Sequence, residues 1–529
     1  MRERVAAADA VTPSEVAATG GLSARDSPVV AEATRRARAA QQQWARVDTA
    51  DRCAVIDRAR AALLNEIDTL ADLLVEAVPA RSDRAEALSG ELMPMLAAAR
   101  WLSRCGAKVL RTRRTGWWTR PSFLPGHRAE VRRRALGVVL IIAPSNYPLM
   151  LPGVQAMQAL AAGNAVAIKP APGSGVAVQR FAACLRQAGL PSELLAVLGE
   201  SAGEAQAAIA AGVDHVVLTG SFSTGRAVQA QLTPRLTPST MELSGCDACF
   251  VLPDATDAQI DRAVDALAFG LTYNGSQTCI APRRVHATPA MATTLAQRVA
   301  GRLADTVAVP VPSAVAGRLA ELIADATRRG ATRLTGDVWA DPDQRGTMRV
   351  EPVLMTEVPA DASLLAADLF APWLAFVPCL DANAMLAANA RCPYKLGASI
   401  FGPSHSANDL ADALDVGSVT INDLIVPTAD PRLPFPAVGH SGFGVTRGPE
   451  GLLAMTRPMV ITEHRGPTPR HYQTDTPGLD SLLTAMLRMH HAPSLGGRAA
   501  GLRDFARSIY RVARATSSSP NTSSSIKDS

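Results

Sequence analysis

The chain has 529 residues, 47% hydrophobic and 19% charged, with eight cysteines and a formal net charge of +5. That length exceeds what one core organises and predicts two or three globular domains, while no apolar run is long enough to span a membrane and the start (Met1, Arg2, Glu3, Arg4) leads into polar, alanine-rich sequence. A cytoplasmic protein with free cysteines is expected, and the modest basic balance makes no case for nucleic acid.

The first thirty residues lack periodicity and read as a loosely ordered lead-in. From near Val30 to about Ser103 apolar residues recur at three and four positions, as at Leu63, Leu70, Leu73 and Leu74, which predicts packed amphipathic helices. Beyond Gly137 short apolar runs alternate with helical segments: Val138–Ile142 then Val154–Ala162, Ala165–Ile168 then Val176–Gln187, His215–Leu218 then Thr224–Gln231. This alternation predicts right-handed βαβ units in a doubly wound parallel sheet, with a nucleotide at the carboxyl ends of the strands. A second alternating block from Cys249 to Phe401 contains strand-like Phe250–Leu252, Arg284–His286 and Trp373–Val377 and the helical Asp257–Leu271, and predicts a second α/β domain. The last dozen residues, rich in serine, are expected to be disordered.

Three stretches carry chemistry. Cys279 follows Asn274, Gly275, Ser276, Gln277 and Thr278; Glu242 opens Glu242, Leu243, Ser244, Gly245; and Asn146 sits in Pro144, Ser145, Asn146, Tyr147, Pro148. A thiol, a carboxylate and a side-chain amide are the parts needed to oxidise an aldehyde: a thiolate adds to the carbonyl, donors stabilise the alkoxide, and a base activates water to release the acid. Read alone, Asn146 is better read as a turn residue before Tyr147 and Pro148. Glu242 lies between strand-like Thr240, Met241 and the apolar run at Phe250, where an idle carboxylate would be costly. Cys246 and Cys249 form a CxxC pair, but Cys379 and Cys392 do not make the second pair zinc requires, so no metal site is expected.

From about Glu32 to about Thr462 these stretches, in this order, resemble the aldehyde dehydrogenase superfamily of the NAD(P)-dependent, hydrolytic type. The resemblance implies Cys279 as the nucleophile that forms a thiohemiacetal, Glu242 as the base for thioester hydrolysis, and the Asn146 amide with the Cys279 N–H as the oxyanion hole. It implies a cofactor, NAD or NADP, held by Lys169, by Gly220, Ser221 and Gly225 at a strand-to-helix turn, and by Asp368 and Phe370. It also implies a substrate tunnel of Tyr147, Met150, Leu151, Val154, Thr278, Ile280 and Phe435, whose lack of charge favours an apolar aldehyde. There are departures: Pro172 stands where the family often has a ribose-binding glutamate, Asp368 replaces a glutamate, Ser145 an aromatic residue, and Ser244 a glycine. Weak discrimination between NAD and NADP follows from Pro172.

The resemblance divides the chain into a cofactor-binding domain (1–116 and 136–244), a catalytic domain (245–455), an oligomerisation element (117–135 and 456–465) that would make a homodimer or homotetramer, and a C-terminal extension (466–529). Two basic segments stand out. Residues 101–134 combine Trp101, Trp117 and Trp118 with Arg111, Arg113, Arg114, Arg120, Arg128, Arg132, Arg133 and Arg134, suiting an oligomer contact, single strands or a membrane interface. In the extension Arg503, Arg507, Arg511 and Arg514 share one helical face and Leu502, Phe505, Ile509 and Val512 another, suiting self-packing, a partner or peripheral membrane contact. The rival readings are a CoA-acylating relative, against which Glu242 argues, and a non-catalytic binding protein retaining the fold.

Overall fold

The computed structural model describes residues 27–81, 83–116, 118, 120, 121, 124, 126–341, 345–465 and 478–517. The expectations for residues 1–26 of the lead-in, for the serine-rich tail, for Trp117 and for the side chains of Val512 and Arg514 fall outside this set. The helix expected from near Val30 begins at Pro28, because Ser27 caps helix Pro28–Trp44 by accepting from the Val30 N–H at 3.4 Å, with Pro28 at the first helical position, where its missing N–H costs nothing. Helices Thr49–Asn65, Ile67–Ala77 and Met93–Val109 follow, burying Leu63, Leu70 and Leu74, while Leu73 is only partly covered.

These helices belong to the core of a six-stranded sheet ordered Gly442–Phe443, Ser239–Leu243, His215–Gly220, Val138–Ile142, Ala165–Lys169 and Leu195–Val197. All its pairings are parallel except that of the Gly442–Phe443 edge. Val138–Ile142 and Ala165–Lys169 are buried along their whole lengths, which is why they read as unbroken apolar runs and not as alternating ones. The chain first winds outward from Val138–Ile142, then crosses back to lay His215–Gly220 on its other side. The strand order therefore reverses between these two, and their carboxyl ends open the crevice in which such sheets bind ligands.

The second sheet has seven strands in the order Thr332–Thr335, Val353–Thr356, Trp373–Pro378, Pro282–Ala287, Asp247–Val251, Gly397–Phe401 and Ser418–Ile421, parallel apart from the first pair. The strand expected at Phe250–Leu252 begins earlier, at Asp247, because Pro282 pairs with Asp247 on one side and Ala398 with Ala248 on the other. Two apolar clusters cover it, one holding Cys246, Phe250 and Trp373, the other Cys249, Leu267 and Phe376.

The chain separates into two compact units, one spanning Met1–Thr112 and Arg132–Met459, the other Arg113–Val131 and Val460–Ser529. Both large sheets lie in the first. In the second, Arg113 and Arg114 pair antiparallel with Val131 and Glu130, and helix Leu479–His491 packs against helix Leu495–Ser517. Gly501 permits that contact: a Cβ there would lie 2.3 Å from the Met489 backbone nitrogen. The amphipathic division expected for the last helix is only partly realised. Its packed side carries Gly501, Asp504, Phe505 and Ser508, leaving Leu502 and Ile509 exposed together with Arg503, Arg507 and Arg511. Trp118 is exposed, whereas Trp101 packs against the core of the first unit, so the two tryptophans do not share one surface character. Among the described residues no helix is long and apolar enough to cross a membrane.

Candidate active site

Glu242 lies one residue from the carboxyl end of its strand, paired with Thr219 on one side and Gly442 on the other. Its carboxylate is buried; Oε2 accepts from the Thr446 hydroxyl at 2.8 Å, and Oε1 has no hydrogen-bond partner among the described residues but stands 4.0 Å from Nη2 of Arg447. Asn146, in the loop after Val138–Ile142, is buried as well. One of its amide N–H groups donates to the Gln277 carbonyl at 2.7 Å, and its own Oδ1 accepts from the Tyr147 N–H at 3.1 Å. A primary amide has two N–H donors, so one remains available.

The segment before Cys279 is bent by three successive left-handed residues, Asn274, Gly275 and Ser276 (φ of 52°, 58° and 62°). For the two with side chains this costs about 1–2 kcal/mol each. Glycine is required between them, because a Cβ on Gly275 would lie 2.4 Å from that of Ala80. Buried cations hold the bend: Arg81 donates to Asn274 Oδ1 at 3.0 Å, and Arg283 donates to the Ser276 hydroxyl at 2.7 Å and to its carbonyl. Asn274 also donates to the Asn146 carbonyl at 3.1 Å, which ties the Cys279 segment to the Asn146 loop.

Cys279, Glu242 and Asn146 line one cavity of about 340 Å³ together with Thr219, Gly220, Ser221, Thr224, Asp368 and Phe370. Helix Phe222–Leu232 presents its N-terminus here, capped by the Ser221 hydroxyl, which accepts from the Thr224 N–H at 3.2 Å. Gly225 lets the helix press on the strand: a Cβ would lie 2.8 Å from Leu243. Lys169, at the end of its strand, is buried and donates to the Glu200 carbonyl at 3.4 Å. Burial pushes the Asp368 carboxyl up to about 6, opposed by the Ser244 hydroxyl and the Arg283 guanidinium.

A second cavity, of about 70 Å³, adjoins Cys279 on another side, lined by Tyr147, Met150, Leu151, Thr278, Tyr273, Ile425 and Arg447 among others. The Tyr147 hydroxyl bonds Thr278 Oγ1 at 2.6 Å. Val154 lines a separate, smaller space with Met150 and Trp101, and Ile280 and Phe435 form a small apolar cluster with Leu396 against which Cys279 packs. The expected uncharged tunnel needs correction, because Arg447 is in its wall, over the Phe435 ring with 4.9 Å from guanidinium carbon to ring centroid. Sequence reasoning also missed Thr446, Glu91 and Glu200. Nothing local marks any of them, although the glycines at 439, 442, 444 and 448 do mark the Thr446–Arg447 stretch as a tight turn.

Comparison with known proteins agrees with this architecture. Residues 2–461 match the aldehyde dehydrogenase family, to which the chain belongs. The 4,4'-diapolycopene aldehyde oxidase of Methylomonas sp is 30% identical over 473 residues, covering 87% of this chain and 86% of that protein. Among solved structures, a Mycobacterium tuberculosis aldehyde dehydrogenase complexed with NAD+ superposes with a TM-score of 0.73 at 23% identity, covering 82% of this chain and 89% of the other. An E. coli NADP dependent enzyme gives 0.75 at 22% identity, covering 83% and 90%. The protein is thus an oxidoreductase acting on aldehydes with NAD or NADP. The first cavity suits such a dinucleotide: helix N-terminal N–H groups for a pyrophosphate and the Asp368 carboxylate for a ribose line it, while the buried Lys169 ends a strand of the same sheet as Glu242.

Burial drives the Cys279 thiol well above the ordinary thiol range; the Glu242 and Asp247 charges raise it further, and Arg447 opposes them. Alkylation of Cys279 by iodoacetamide should therefore keep accelerating with pH through the alkaline range. Glu242→Gln removes one raising charge and should move the profile to lower pH. A profile unmoved or shifted upward would contradict this electrostatic picture.

Proposed function

We propose that the protein oxidises an aldehyde to the carboxylic acid through a covalent adduct on Cys279. The supporting observation is that Cys279, Glu242 and Asn146 line one cavity with the N-terminus of helix Phe222–Leu232. The Cys279 thiolate attacks the aldehyde carbon and forms a thiohemiacetal whose oxygen takes the negative charge. The spare N–H of Asn146 and the backbone N–H of Cys279 stabilise that oxygen. A bound nicotinamide would supply the hydride acceptor that turns this thiohemiacetal into a thioester on Cys279. Glu242, desolvated and anchored by Thr446, takes a proton from water as the water attacks the thioester carbonyl; collapse of the adduct expels the Cys279 thiolate and frees the acid. A CoA-acylating enzyme would need no such base. The buried and deliberately anchored Glu242 favours hydrolysis.

Lys169, Gly220, Ser221, Gly225, Asp368 and Phe370 would hold the cofactor. Weak discrimination no longer follows from Pro172, because Glu200 reaches the same helix start from the neighbouring strand's loop. Its two carboxylate oxygens accept from the Gly173 and Gly175 N–H groups at 2.9 and 2.7 Å, and these bonds hold its pKa below the ordinary carboxylate value. The carboxylate thus fills the anion-favouring N-terminus of helix Gly175–Gln187 beside Lys169, where it can accept from ribose hydroxyls and repel a 2′-phosphate.

Two outcomes check this reading. Cys279→Ala should abolish aldehyde oxidation while cofactor affinity, read by calorimetry, stays within about twofold, since only the thiol forms the adduct; retained turnover refutes the mechanism. Wild-type protein should bind NAD more tightly than NADP, and Glu200→Gln should narrow the gap about tenfold by removing one repulsive charge. Equal affinities in the wild type would refute the role given to Glu200.

A further inference from the structure

Most buried arginines here have their donors committed. Arg52 bonds the Ala161 and Val47 carbonyls and Thr49; Arg81 bonds Asn274 and the Leu74 and Asn146 carbonyls and pairs with Glu91; Arg283 bonds Ser276 twice. Arg447 differs. It is 5% exposed, yet among the described residues its one hydrogen bond runs from Nη1 to the Thr428 carbonyl at 2.8 Å, and its nearest carboxylate, Glu242, is 4.0 Å away and outside hydrogen-bonding reach. A guanidinium carries five N–H donors, so most of this one's capacity is unspent. Its backbone is left-handed at φ 62°, a conformation costly for a residue with a side chain, at the start of helix Gly448–Ala454.

We propose that Arg447 recognises an anionic group on the substrate, so that the aldehyde carries a carboxylate or sulfonate a few bonds from its carbonyl. This rests on the reading of Cys279 as the nucleophile and names the substrate class for that site. Arg447 and Cys279 line the same enclosed cavity, whose other walls are the apolar Met150, Leu151 and Ile425 and the hydroxyls of Tyr147 and Thr278. The Phe435 ring and the Thr428 carbonyl hold the guanidinium without neutralising it. In such a desolvated space an anion gains a two-pronged, charge-assisted contact, and no existing hydrogen bond has to break. The volume limits the reach. At about 70 Å³ the cavity is small beside the 340 Å³ of the first, so the anionic group must lie close behind the reacting carbonyl.

Two alkylating agents of nearly equal size test this without cofactor or substrate: iodoacetate, which is anionic, and iodoacetamide, which is neutral. Rates of Cys279 modification are read by peptide mass mapping, which separates it from the other seven cysteines. The ratio of the iodoacetate to the iodoacetamide rate in the wild type should exceed that of free glutathione about tenfold; Arg447→Gln should remove the excess, and Arg447→Lys should restore part of it. The wild-type comparison stands even if a variant fails to fold. A wild-type ratio no higher than that of glutathione, or a loss in Arg447→Gln that slows both reagents equally, overturns the proposal and leaves Arg447 as a residue that merely tunes Cys279. Cys279 inert to both reagents would instead refute the nucleophile on which the proposal rests.

Discussion

The site depends on one buried ion pair. Arg81 and Glu91 have fully buried side chains 2.9 Å apart, and between them they reach the loop that carries Asn146 and the bend that precedes Cys279. Glu91 accepts from the N–H groups of Leu149 and Met150 at 2.8 and 2.9 Å, capping helix Met150–Ala161 and so fixing the loop that carries Asn146. Arg81 donates to the Asn146 carbonyl and to the Asn274 side chain. Removing one partner of such a pair typically costs about 3–5 kcal/mol, because the other is left as an uncompensated buried charge. Here the cost buys geometry: the left-handed bend at Asn274–Ser276 is strained by itself and persists because Arg81 and Arg283 over-determine it.

The same logic sets the electrostatics around the thiol. Cys279 is flanked by Glu242, which disfavours its thiolate, and by Arg447, which favours it. Glu242 in turn is tethered through a single oxygen to Thr446. Its other oxygen has no hydrogen-bond partner among the described residues, as suits the base proposed for an incoming water. A fully satisfied carboxylate would be a poor base in this place.

Much of this was legible in the sequence. The apolar runs at Val138–Ile142 and Trp373–Val377 became strands with nearly the expected ends, because strands covered on both faces leave an unbroken apolar signal. Helix Asp257–Thr272 begins where expected, and Thr256 and Gln259 form a reciprocal cap there. The residues that chemistry and resemblance singled out, Cys279, Glu242 and Asn146, meet in one cavity. Arg447, Thr446 and Glu200 were not legible, because what matters about them is a distant partner. Thr446 meets Glu242 across 204 residues of chain, and Glu200 meets Gly173 across 27. Position 172 was read for the carboxylate it lacks, and only the fold shows one arriving from another loop. Arg447 likewise sits in an unremarkable Thr-Arg-Gly turn, and its place beside Cys279 comes from the return of the chain along Glu242's strand.

The account turns on a thioester at Cys279 that Glu242 helps to hydrolyse. The most direct measurement is the mass of Glu242→Gln protein mixed with an aldehyde and cofactor and quenched in acid. Replacing Glu242 removes a charge that disfavours the thiolate, so acylation should persist while hydrolysis fails. The account predicts an acyl group accumulating on the peptide that contains Cys279, with about one equivalent of reduced cofactor per active site. An acyl group on another residue, or unmodified protein turning over at the wild-type rate, would contradict it.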